Sequence, residues 1–144
     1  MDSSRQSQRL LQAGICLFLA AVLLGLAIQQ FTVPRLALSA HLIGILQGIV
    51  LVVVGLVWPR LCLTPRQFRL TFWLVVYQAV AAFLSNVLGA AWGAGNSIIP
   101  IAAGAARGST VEEAVINIGL RSAGAALIIG LLLILWGLRR TPAA

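Results

Sequence analysis

From Ser39 to Pro59 the chain reads SAHLIGILQGIVLVVVGLVWP, without one acid, lysine or arginine. A helix of about 20 apolar residues crosses the hydrocarbon core of a bilayer, so this run is read as a membrane-spanning helix. His41, the only histidine in the chain, stands at its mouth. Gly44 and Gly48 follow it on nearly the same helical face. Glycine there admits either a flat ligand or a second backbone. Gln47 is the one strongly polar side chain inside the run.

Three further apolar runs, over about 10–28, 70–92 and 111–138, have similar length. Hydrophobic residues make up 60% of the 144 and charged residues 9%. A soluble domain carries about 25% charged residues. The expected fold is therefore an all-α integral membrane protein, a single domain over 1–144 built as a bundle of four transmembrane helices. A signal peptide competes for the first run, because Arg5 and Arg9 precede it and Leu38-Ser39-Ala40 ends in small residues. A signal h-region is only about 7–15 residues long, so the run is read as a retained helix.

The arginines set the topology. Two lie in the N-terminal tail, three in 60–69 and two in the C-terminal tail, whereas Arg35, Arg107 and Arg121 belong to the opposite side. The positive-inside rule then places both termini in the cytoplasm. A formal charge of +7 raises nucleic acid as a partner, but the arginines sit singly or in pairs at the ends of apolar runs, where they meet lipid headgroups. No nucleic-acid partner is expected. Cys16 and Cys62 lie in separate elements without ligand spacing.

Residues 93–110 form a Gly/Ala-rich, non-cytoplasmic segment. Ser109-x-x-Glu112 and Thr110-x-x-Glu113 both match a capping box, so the last helix begins there. The sequence leaves open whether this segment is a lid or a re-entrant stretch, and whether Arg107 pairs with Glu112. The topology puts His41, Gln47, Asn86, Asn117 and Arg121 in the outer half of the membrane, where they are expected to ring one pocket. Ionisable groups within a membrane are functional by default. Against that, Gln47 and Asn86 are also suited to hydrogen-bonding between helices, and Arg121 to snorkelling.

The chemistry open to such a pocket is narrow. No carboxylate lies inside the membrane, which argues against a proton-coupled exporter. No nucleophile–base pair is visible. A single histidine excludes bis-histidine haem within one chain, yet permits one axial ligand with an open position opposite.

The segments AHLIGILQG, VWPRL, SNVLGAAWGAGN and RSAGAALIIGLLLILWGLR resemble the hydroxylaminobenzene mutases along nearly the whole chain. That resemblance implies a bacterial inner-membrane isomerase of nitroarene degradation, which converts hydroxylaminobenzene to 2-aminophenol. The reaction consumes no oxidant or reductant, so no nicotinamide or flavin is expected. A more distant similarity is to the styrene oxide isomerases, through His41, Gln47-Gly48 and Ser85-Asn86-Val87 with Gly89. It implies a trimer holding a b-type haem, with His41 as axial ligand to ferric iron and Gln47 and Asn86 as polar pocket residues; Gly44 and Gly48, on the face of His41, are the candidates to lie beside such a flat cofactor. Asn117 and Arg121 complete the candidate substrate-orienting set. Two departures stand out: Gln replaces the family's Asn at 47, and no tyrosine follows Asn86, where the isomerases use one. An epoxide isomerase and a non-catalytic transport or accessory protein remain the alternatives.

Overall fold

The computed structural model describes residues 3–139. It is helical throughout, and four of its helices are long and apolar enough to cross a membrane: α1 (Ser3–Gly25), α2 (Pro34–Val57), α3 (Pro65–Trp92) and α5 (Thr110–Leu138). A single turn, α4 (Pro100–Ala103), lies between the last two.

Each helix but the last starts several residues before the expected boundary. Pro34 and Pro65 occupy first turns, where the missing N–H is not needed and the fixed φ is already helical. Thr64 then caps α3, its hydroxyl accepting from Gln67 N while the Gln67 side chain accepts from Thr64 N at 2.9 Å. The N-terminal stretch expected as a tail is helical from Ser3, with Gln6 buried. Because α2 begins at Pro34, His41 is two turns inside the helix rather than at its mouth. Of the two capping boxes matched in sequence, Ser109 with Glu112 forms and starts α5.

The helices pack in chain order. α1 lies on α2, α2 on α3 and α3 on α5, while α1 and α5 barely touch. The result is a curved row with α1 and α5 outermost. Small residues set the α1–α2 approach: a Cβ on Gly14 would meet Gly48 O at 2.7 Å, and one on Gly55 would meet Leu11 at 3.1 Å. Apart from the lipid-facing sides, the core is a column of Leu10, Leu17, Leu51, Phe72, Val75 and Phe83, closed at one end by Trp58.

Two ends of the row can be told apart. At one, Ser7 Oγ donates to Gly55 O at 2.7 Å and Cys62 N donates to Gly137 O at 3.0 Å. The start of α1, the α2–α3 connection and the end of α5 therefore share that end. At the other, Val33 N donates to Ala90 O and Thr32 Oγ1 to Ala91 O, holding the α1–α2 connection against the end of α3. Gly93 ends α3 with φ at 71°, a left-handed conformation that glycine adopts without steric penalty.

Segment 93–109 is built around one carboxylate. Glu113 accepts from the backbone N–H of Gly95 at 2.9 Å, Asn96 at 3.2 Å, Ser97 at 3.0 Å and Gly108 at 3.4 Å. Arg107 does not pair with Glu112: it donates to the carbonyls of Gly104 and Ala106, and Glu112 accepts from Ser109 N.

Candidate active site

His41 faces α1. Its Nδ1 lies 2.7 Å from Ala21 O. A carbonyl only accepts, so Nδ1 is the donor in this contact and is anchored by it. The ring rests on Gly25, where a Cβ would meet Nδ1 and Cε1 at 2.7 Å. Gly25 is thus part of the His41 site, and no spacing within the sequence connects the two. Nε2 has no partner among the described residues, and the side chain is half-buried.

Gly44 and Gly48 pack closely against neighbouring helices. A Cβ on Gly44 would meet Ala21 at 2.6 Å and Phe83 at 2.7 Å, and one on Gly48 would meet Gly14 O at 2.8 Å. Of the two uses their spacing allowed, close approach of another backbone is the one realised. α1 occupies the face that His41, Gly44 and Gly48 share.

Gln47 faces the other way. Six residues advance a helix by about 600° at 3.6 residues per turn, so a helix that aims His41 at α1 turns Gln47 towards α3. There Gln78, 1% exposed, donates from Nε2 to Gln47 Oε1 at 2.9 Å and to Val75 O at 3.2 Å. Asn86, also 1% exposed, donates from Nδ2 to Ala82 O at 2.9 Å, while its Oδ1 is buried without a partner. Such an acceptor is costly to leave unmet, and in a native protein it points to something it serves.

Asn117 donates to Ser97 Oγ at 3.4 Å and so belongs with the capping segment. Arg121 is exposed, with no hydrogen bond or ion pair among the described residues. The five polar residues are therefore seen with different partners on different helices: His41 on α1, Gln47 on α3, Asn86 on its own helix, Asn117 on Ser97 and Arg121 exposed. What the sequence missed is a set of partners across helices: Gly25 for His41, Gln78 for Gln47, and Ser122, whose Oγ lies 2.7 Å from the Tyr77 hydroxyl.

An apolar groove of about 350 Å³ runs between α2 and α5, lined by Ile49, Val50, Val53, Val54, Val57, Leu131, Ile134 and Leu138. It is large enough for a monocyclic arene, and nothing polar lines it.

A haem axial histidine needs one nitrogen free and the other anchored to a fixed acceptor, which sets tautomer and ring orientation. His41 meets both conditions, so the residues present fit one axial ligand. Among the described residues no three His, Cys, Asp or Glu side chains gather.

The model of the styrene oxide isomerase family matches residues 6–139. Hydroxylaminobenzene mutase HabB of Ectopseudomonas oleovorans is 40% identical over 137 residues, which cover 95% of this chain and 84% of that protein. Hydroxylaminobenzene mutase HabA of the same organism is 36% identical over 131 residues, covering 91% and 97%. No solved structure matches the chain.

Proposed function

Because the chain belongs to the styrene oxide isomerase family, we propose that it is a membrane isomerase which converts hydroxylaminobenzene to 2-aminophenol. The observation that carries this reading is similarity along nearly the whole chain to two proteins named for action on hydroxylaminobenzene.

The net change moves oxygen from nitrogen to the ortho carbon, with no gain or loss of atoms or electrons. As the N–O bond lengthens, positive character spreads into the ring. Water would capture that cation, so the surroundings must be dry and must hold the departing oxygen beside the ring. The aliphatic walls of α2 and α5 provide dryness. In this reading the Gln47 amide, whose oxygen is taken by Gln78, would donate to the substrate oxygen, and the unmet Asn86 Oδ1 would accept the substrate N–H. His41 would hold a b-type haem through Nε2, and ferric haem supplies a Lewis acid for the hydroxylamine oxygen when bound. Water exclusion and orientation remain the work of the helices.

The same reading covers assembly and placement. His41 is half-buried in one chain, and the chain forms a homo-oligomer, the trimer of the isomerase family, in which a second copy covers that edge. Arg5, Arg9, Arg60, Arg66, Arg69 and Arg139 gather at the end of the row shared by the start of α1 and the end of α5. By the positive-inside rule that end would face the cytoplasm, and the membrane would be a bacterial inner membrane.

Purified protein incubated with hydroxylaminobenzene tests the activity, with 2-aminophenol as the expected product. Styrene oxide in place of hydroxylaminobenzene tests the epoxide alternative, which phenylacetaldehyde as the better product would favour. His41→Ala should remove both turnover and any Soret band; full activity in that variant would overturn the role of His41.

A further inference from the structure

The contact between Gln47 and Gln78 fixes more than the distance between two helices. Gln78 is buried on α3, and its Nε2 meets two oxygens, Val75 O and Gln47 Oε1. A backbone carbonyl accepts and never donates, so the Val75 contact decides which end of the Gln78 amide carries hydrogen. One N–H goes to Val75 and the other to Gln47. The Gln47 atom in that contact is therefore its carbonyl oxygen, and the opposite end of the amide is determined with it. Gln47 Nε2 carries two N–H groups, neither with an acceptor among the described residues, and the atom is not sealed in the core.

An unmet amide donor at membrane depth is unfavourable, because lipid tails offer no acceptor. Its position is informative. Gln47 precedes Val50, Val54 and Val57 at three- and four-residue steps, along the flank of α2 that forms one wall of the α2–α5 groove. On the α5 side, a Cβ added to Gly124, about two turns before the lining begins, would meet nothing within 4 Å. Gln47 thus stands just before the α2 residues that line the groove, on the same flank. An apolar slot with a single polar group at one end suits a flat arene carrying an oxygen or nitrogen acceptor at one end.

We propose that Gln78 is a positioning residue: it locks the Gln47 amide with its N–H groups turned outward, so that Gln47 orients an arylhydroxylamine whose ring occupies the α2–α5 groove. The inference rests on reading the chain as an arylhydroxylamine isomerase. Gln78 touches no substrate in this arrangement. It acts only through Gln47, which makes the two residues one unit in any functional measurement.

The test is a double-mutant cycle on the purified full-length protein, with steady-state kinetics on hydroxylaminobenzene. Gln78→Leu keeps the bulk of a buried side chain while removing the donor that fixes Gln47. Its kcat/KM should fall about tenfold, the loss of one hydrogen bond's worth of orientation, and should appear mainly as a raised KM. Gln47→Leu should fall about as far. The double variant should match Gln47→Leu alone, because Gln78 has nothing left to position. Losses that multiply to about a hundredfold in the double variant would overturn the proposal, as would Gln78→Leu with unchanged kcat/KM. If Gln78→Leu does not yield folded protein, Gln78→Met enters the same cycle with the same outcomes. A wild type that forms no 2-aminophenol refutes the functional reading itself, and is recognised before any variant is made.

Discussion

Replacing Glu113 by glutamine should loosen segment 93–109 without disturbing the spanning helices. The carboxylate holds four backbone N–H groups: Gly95, Asn96 and Gly108 on Oε1, and Ser97 on Oε2. Glutamine offers one oxygen, so three of the contacts survive as neutral hydrogen bonds. The fourth is inverted, because an amide N–H₂ group now faces Ser97 N–H. Hydrogen bonds to charged groups contribute about 1.5–3 kcal/mol each and neutral ones about 1 kcal/mol. The site is only half-buried, and water takes over part of the loss, so the expected weakening is about 2–3 kcal/mol for opening the segment. Hydrogen exchange in detergent micelles or nanodiscs reads this directly. Amides of Gly95, Asn96, Ser97 and Gly108 should exchange about 30- to 100-fold faster, since 1.4 kcal/mol is a factor of ten. Amides in the middle of α3 should not change. Equal exchange at all four positions in wild type and variant would refute the claim that this carboxylate organises the segment.

Other consequences follow from packing and from unmet polar atoms. Gly48→Val would push a side chain against Gly14 O and Phe18 and should lower stability by about 1–3 kcal/mol, whereas Gly124→Ala, with nothing within 4 Å of the added carbon, should be neutral or stabilising; thermal melts of the two variants decide. Asn86→Leu removes a buried acceptor without a partner, so its melting temperature should hold or rise while 2-aminophenol formation falls by tenfold or more; an active, stable variant would exclude Asn86 from the site. Tyr77→Phe breaks the contact with Ser122 between α3 and α5 and should weaken the protein by about 0.6 kcal/mol with turnover unchanged.

The sequence made the spanning helices legible because an uncharged run of bilayer length has few other uses. It was less informative about where they begin. Their first turns are polar, as at Ser3–Gln6, or start on proline, as at Pro34 and Pro65, and an apolar-run reading discards both. The cost of that error fell on His41, whose place two turns inside α2 is what brings it to Ala21 and Gly25. Ser109 and Glu112 were readable as a cap because that motif is local. The pairing of Gln47 with Gln78 was not, since it depends on how α2 is rotated against α3. For the same reason Gly44 and Gly48 carried two meanings until α1 was seen to fill their face. The Glu113 cradle lay furthest from view, because four amides converge only once the chain has turned at Gly93 and Gly95.

The central claim is that this chain moves a hydroxyl group within one substrate molecule, in a site that keeps water away from the developing cation. Turnover of hydroxylaminobenzene in water enriched in oxygen-18, followed by mass analysis of the product, measures this most directly. The 2-aminophenol formed should carry the unlabelled substrate oxygen. Label incorporated from water, or no 2-aminophenol above the level of membranes lacking the protein, would contradict it.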